Sequence, residues 1–133
     1  MILIDSSAFI EFLNRTGSPT GQVVERLIRD DAECAIADVV LTELLQGIRS
    51  DKEFRTVRDA LLAFPILSLK GSESYVRAAE LYRMCRTKGL TIRSTIDLFI
   101  AQIALENDTI LLHNDRDFEA IASVSTLKIY RYP

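Results

Sequence analysis

A chain of 133 residues falls within the usual range of one domain, and a hydrophobic share of 48% is ample for a single buried core. With 16 basic against 19 acidic residues, no overall positive field marks a nucleic-acid binder, so any RNA contact has to come from a local patch. Cys34 and Cys85 are too few and too far apart for a disulfide framework or a zinc site, and they read as core thiols in a reduced compartment.

The opening Met1-Ile2-Leu3-Ile4-Asp5 lacks the basic start and long apolar stretch of a secretory signal, and no later run approaches the ~20 apolar residues of a membrane span, so a cytoplasmic protein is expected. Ile2-Leu3-Ile4 is a short all-apolar run, as in a strand covered on both faces. Phe9, Ile10, Phe12 and Leu13 predict a helix ending near Asn14, and Val23, Val24, Leu27 and Ile28 repeat at helical spacing in a second. Gly17-Ser18-Pro19-Thr20 reads as the turn between them. Cys34-Ala35-Ile36-Ala37 is another buried strand, Val39 through Ile48 and Phe54 through Phe64 are helices, and Pro65-Ile66-Leu67-Ser68-Leu69 is a third strand. Ser72 through Lys88 is a long helix closed by Gly89, and Ser94 to Glu106 is helical in pattern. Ile110-Leu111-Leu112-His113 and Leu127-Lys128-Ile129-Tyr130 complete the strands. No repeat or linker divides the chain, so residues 1–133 are read as one domain. The alternation predicts an α/β fold, a parallel sheet with helices on both faces whose functional site lies at the carboxyl ends of the strands.

Four acids fall near those ends: Asp5 after the first strand, Glu43 early in the helix after the second, Asp97 early in a later helix and Asp115 after the fourth strand. Each has an ordinary structural role open to it. Asp5 suits an N-cap, Glu43 a first-turn acid favoured by the helix dipole, Asp97 a variant capping box with Ser94, and Asp115 a turn or helix start. Gathered at one sheet edge, however, like charges repel unless a cation sits between them. An oxygen-rich set with little His or Cys suits Mg²⁺ or Mn²⁺ and disfavours zinc. With His113 as the single histidine, a paired-histidine ribonuclease mechanism is disfavoured as well.

Four stretches, in order, carry a resemblance. They are Ile2-Leu3-Ile4-Asp5-Ser6-Ser7-Ala8-Phe9-Ile10, Leu41-Thr42-Glu43-Leu44-Leu45-Gln46-Gly47, Arg93-Ser94-Thr95-Ile96-Asp97-Leu98-Phe99-Ile100-Ala101 and Leu111-Leu112-His113-Asn114-Asp115-Arg116-Asp117-Phe118. Together they resemble a PIN domain, more narrowly a VapC-type toxin of bacterial and archaeal type II toxin–antitoxin systems. The resemblance covers nearly the whole chain and implies a three-layer α/β/α sandwich with a central, mainly parallel sheet. It implies a Mg²⁺- or Mn²⁺-dependent endoribonuclease that hydrolyses RNA by water attack, leaving a 5′-phosphate and a 3′-hydroxyl. Asp5, Glu43, Asp97 and Asp115 are then its catalytic and metal-binding acids, with Ser6 or Ser7 shaping the pocket. Relatives vary between Asp and Asn where Asp115 stands, so Asp117 shares or takes that role. Ser94 stands where many relatives carry a further acid, which places more of the metal site on Asp97. A homodimer and a cognate VapB-type antitoxin that blocks the acidic site are implied too.

For RNA contact, Arg83, Arg86, Lys88 and Arg93 lie just upstream of Asp97, and phosphates are their natural target. Arg86 and Lys88 equally suit the carboxyl end of a helix. Arg49, Lys52, Arg55 and Arg58 form a second basic stretch with the same two readings. Two rival classes remain. A phosphate-handling receiver needs an acidic pair after the first strand and an Asp after a middle one, and Asp5 has no acidic neighbour. A non-catalytic α/β interaction module requires that the four acids bind no metal.

Overall fold

The computed structural model describes residues 1–133. Five strands, β1 (Ile2–Ile4), β2 (Cys34–Ala37), β3 (Ile66–Leu67), β4 (Ile110–Leu112) and β5 (Lys128–Ile129), form one sheet in the order β3-β2-β1-β4-β5. Every neighbouring pair is parallel; β1 lies centrally, with Leu3 opposite both Ala35 and Leu111. The all-apolar runs follow from this arrangement. Leu3, Ile4, Ala35, Ile36, Leu111 and Leu112 are completely buried because helices cover the sheet on both sides.

Seven helices connect the strands: α1 (Ser6–Leu13), α2 (Pro19–Arg29), α3 (Asp38–Leu45), α4 (Asp51–Leu62), α5 (Ser72–Thr87), α6 (Thr95–Glu106) and α7 (Arg116–Ser123). They fall into two groups by contact. One joins α1 to α2 and α3, and α3 to α4; the other joins α5, α6 and α7. The chain steps from β1 to β2 and β3 on one side, then returns to β4 and β5 on the other. With right-handed crossovers, that reversal of direction sends the later helices to the opposite face.

Side-chain caps set most helix starts. Asp5, Ser18, Ser50, Ser94 and Asp115 each accept a hydrogen bond from a backbone N–H of the following first turn. Two of the departures from the expected boundaries trace to these caps. The helix expected near Val23 begins at Pro19, because Ser18 caps it and proline suits the first helical position. The one expected from Phe54 begins at Asp51, where Ser50 caps it and Asp51 and Glu53 face the helix dipole. The third helix stops at Leu45 rather than Ile48, just before Gly47. The expected Pro65–Leu69 strand pairs only at Ile66 and Leu67. The polar stretch after β4 is more than a turn: Asp115 starts α7, which buries Phe118 and Ile121 on one face.

Two glycines fix local geometry. Gly89, at φ +74°, ends α5, with Leu90 donating its N–H to the Cys85 carbonyl. A Cβ at Gly21 would lie 3.1 Å from the Glu11 carbonyl oxygen, so glycine permits α2 to approach α1 closely. Cys34 and Cys85 are free and buried. No helix is long and apolar enough to cross a membrane.

Candidate active site

The strand order reverses between β1 and β4, the position where open α/β sheets place a binding crevice at the carboxyl ends of their strands. Asp5 stands there, its backbone N–H donating to the Leu112 carbonyl at 2.9 Å. Its N-cap role uses one carboxylate oxygen only. Ser7 donates its backbone N–H (2.9 Å) and its hydroxyl (2.6 Å) to Oδ2, whereas the buried Oδ1 has no hydrogen-bond partner. The two readings of this residue are therefore compatible, because capping α1 engages Oδ2 alone and leaves the second oxygen unpartnered. Burial pushes the Asp5 carboxyl above its ordinary value, against the Ser7 hydrogen bonds that lower it.

Ser7 also ties the two strand ends together, since its hydroxyl oxygen accepts the Asn114 backbone N–H at 2.8 Å. Ser6 acts on a different element. Its hydroxyl donates to Glu43 Oε1 at 3.1 Å and so joins the start of α1 to α3. Burial, and then the charge of Asp5, raise the Glu43 carboxyl, with the Ser6 bond opposing them.

Asp97, in the first turn of α6, is buried at 8% exposure. Ser94 caps this helix through Ile96, and the Asp97 carboxylate receives no hydrogen bond that would lower its pKa. The expected capping box is thus only half formed, which leaves Asp97 facing other acids. Burial first, then the charges of Asp5, Asp115, Asp117 and Glu43, push it up to about 7. Those four neighbours are the remaining acids of the crevice. The tightest group is Asp97, Asp115 and Asp117, each offering a ligand oxygen within 4.8 Å of the others. Asp5 and Glu43 lie outside this trio and act on Asp97 through their charges.

Asp115 and Asp117 sit on a rigid corner. Asp115 Oδ1 accepts the Asp117 N–H at 2.9 Å as the cap of α7, and Asp117 is 4% exposed. The Asp115 N–H in turn donates to His113 Nδ1 at 3.0 Å, which leaves the other ring nitrogen to donate to Glu119 Oε2 at 2.9 Å. His113 therefore orients the corner of α7.

Arg93 was paired in the sequence with phosphate. In the structure its guanidinium meets Asp115 Oδ1 at 3.0 Å and Asp117 Oδ2 at 3.2 Å, and its backbone N–H donates to the same Asp117 oxygen at 3.0 Å. Hydrogen bonding to Asp117, then the charges of Asp117 and Asp115, raise the guanidinium pKa further. Arg83, Arg86 and Lys88 are exposed on or just after α5 and make no ion pair with these acids; Arg86 lies over the Tyr82 ring. The His113–Asp115 contact is the local hydrogen bond expected of a strand-end histidine, whereas sequence reasoning missed the Arg93 ion pairs. No local pattern signals either pairing by Arg93, whose partners lie 22 and 24 residues away.

An oxygen-only donor set, an unpartnered buried carboxylate oxygen and a carboxyl raised by burial and by its acidic neighbours all fit a hard divalent cation such as Mg²⁺ or Mn²⁺. The nearby imidazole has both nitrogens engaged, so nothing in the crevice favours zinc.

Residues 2–124 match the PIN domain family. The chain belongs to that family. This PIN domain is 33% identical over 129 residues to ribonuclease VapC11 of Mycobacterium tuberculosis, with 96% of each chain covered. In fold it is similar to a chain of VapBC2 from Rickettsia felis, solved bound to a DNA fragment from their promoter: the TM-score is 0.75 at 21% identity, with both chains fully covered. VapBC-1 from nontypeable Haemophilus influenzae gives a TM-score of 0.72 at 17% identity, over 98% of this chain and 97% of that one.

Proposed function

We infer that this PIN domain is the toxin of a type II toxin–antitoxin pair and acts as a divalent-metal-dependent endoribonuclease. The observation that carries the reading is the convergence of Asp5, Glu43, Asp97, Asp115 and Asp117 near the strand-order reversal, with Asp97 raised to about 7 by burial and then by the charges of the other four. The ribonuclease name of the relative at 33% identity supports the reaction. Asp97, Asp115 and Asp117 are the residues to hold Mg²⁺ or Mn²⁺, with the free Oδ1 of Asp5 beside them. When bound, such an ion supplies an activated water and neutralises charge developing on the phosphoryl oxygens. Glu43, fixed by Ser6 and raised above the ordinary carboxylate range, is suited to accept a proton. Ser7 keeps Asp5 and the start of the α7 loop at a fixed separation. Arg83, Arg86 and Lys88 are exposed cations available to RNA phosphates.

The largest concavity does not contain the acids. It is an apolar groove of about 810 Å³ whose walls include Phe9, Phe12, Val57, Leu61 and Phe64, from α1, α4 and the turn after α4. An amphipathic antitoxin helix suits it. Because α1 is capped by Asp5 and lends Phe9 and Phe12 to the groove, a segment lying there can extend a basic side chain to the acids and satisfy them in place of the metal. Val76 and Met84, exposed eight residues apart on α5, provide an apolar face for a homodimer. A protein that works on cellular RNA belongs in the cytoplasm.

The test is end-group mapping of RNA incubated with the purified chain and Mn²⁺. Water attack leaves 5′-phosphate and 3′-hydroxyl ends and stops when the metal is chelated. Cyclic phosphate ends, or cleavage that survives chelation, would overturn the reading.

A further inference from the structure

The acid cluster contains one cation, and its bonding pattern assigns it a role. A carboxylate oxygen has about two lone-pair sites. Asp115 Oδ1 fills both, with the Asp117 N–H and the Arg93 Nη2 group. Asp117 Oδ2 fills both with the Arg93 backbone N–H and the Arg93 Nε group. One donor of each pair is main chain and cannot leave without unwinding the start of α7 or shifting the loop before α6. The other donor, in both cases, belongs to the Arg93 guanidinium, whose side chain is 59% exposed.

We propose that Arg93 is the resident counter-cation of this site: its guanidinium holds Asp115 and Asp117 in the metal-free protein and is displaced from them when a divalent cation binds, so that it sets the site's metal affinity. The proposal rests on the reading of the acids as a metal site. Two features make displacement feasible. The side chain has open solvent to move into, and its backbone N–H keeps Asp117 oriented after the guanidinium has left. A planar guanidinium spans both carboxylates at once, which a lysine ammonium, a single point charge, does not reproduce.

Mn²⁺ binding is measured by calorimetry on metal-stripped wild type, Arg93→Gln, Arg93→Lys and Arg29→Gln. The last removes the same charge at the carboxyl end of α2, which leads into the amino end of β2, the opposite edge of the sheet. Removing a nearby competing cation tightens binding by roughly three- to tenfold, allowing for solvent screening. Arg93→Gln is therefore expected to bind more tightly by that factor, Arg93→Lys to fall between it and wild type, and Arg29→Gln to match wild type. A second readout needs no variant: in wild type the Arg93 Nε–H resonance is hydrogen-bonded and exchange-protected in chelator, and it shifts and loses protection on saturation with diamagnetic Mg²⁺. Wild-type binding that is unchanged or weakened in Arg93→Gln, equal tightening in Arg29→Gln, or an Nε–H signal indifferent to Mg²⁺ overturns the proposal alone. Absence of binding in both wild type and Arg93→Gln overturns the metal reading and this proposal with it.

Discussion

Replacing Asp97 by Asn should make the metal-free protein more stable, and more so as the pH rises. The Asp97 carboxyl stands at about 7 in the folded chain against 3.8 for a free side chain. Because the folded value is the higher one, this group contributes its full stability below about pH 4 and loses it as the pH rises through about 7. Each unit corresponds to about 1.36 kcal/mol, so the two units between pH 5 and pH 7 amount to about 2.7 kcal/mol before screening. Glu43 and Asp115 are only half-buried and the charges of the cluster are mutually coupled, so about half of that is expected, roughly 1–1.5 kcal/mol. In a chain of this size that is about 3–5 °C in Tm. The assay is a set of thermal melts of wild type and Asp97→Asn in chelator from pH 5 to pH 8. Wild type should fall behind the variant by that amount across the range, and saturating Mn²⁺ at pH 8 should reverse the order. Parallel pH profiles in chelator would refute the claim that burial and the neighbouring acids make the charged form of Asp97 unfavourable.

Three further outcomes follow from the same geometry. Millimolar Mn²⁺ should raise the wild-type Tm by several degrees, as expected for a ligand bound only by the native state, and an Asp5→Asn/Asp97→Asn double variant should respond less; equal shifts in melting scans would argue against binding at these acids. Ser7→Ala removes the hydroxyl that links Asp5 Oδ2 to the Asn114 N–H, and urea denaturation should show a loss of about 1–3 kcal/mol. Phe118 is completely buried next to Asp117, so Phe118→Ala should cost about 3–5 kcal/mol in urea and weaken Mn²⁺ binding measured by calorimetry, because α7 carries two of the acids.

The strands were legible in the sequence because a parallel sheet covered on both faces demands uninterrupted apolar runs, and Ile2-Leu3-Ile4, Cys34-Ala35-Ile36-Ala37 and Ile110-Leu111-Leu112 are such runs. Strand ends carry only a weak local signal, so Pro65–Leu69 was read too long. Helix existence followed from apolar spacing, whereas helix starts depended on caps such as Ser18 and Ser50, which lie outside the apolar pattern. Asp5, Asp97 and Asp115 were visible because each closes a strand or opens a helix; Glu43, expected as a first-turn acid, is the sixth of the eight residues of α3, whose first turn carries Asp38 instead. Which of Asp115 and Asp117 meets Asp97 could not be read from residues two apart; in the structure the cap geometry of α7 brings both within reach. The structural role of Arg93 was invisible for a different reason. Charges that pair across more than twenty residues leave no periodicity, and a basic residue upstream of an acidic motif fits phosphate contact equally well.

The central claim is that these carboxylates hold a metal that cleaves RNA, and cleavage by folded single variants tests it most directly. Purified wild type, Asp5→Asn and Asp97→Asn are each verified as folded by circular dichroism and incubated with RNA in Mn²⁺ or in chelator. The account predicts cleavage by wild type in Mn²⁺ alone and loss of activity by two orders of magnitude or more, about 2.7 kcal/mol of transition-state stabilisation, in both variants. Undiminished cleavage by both folded variants, or equal cleavage in chelator, would contradict it.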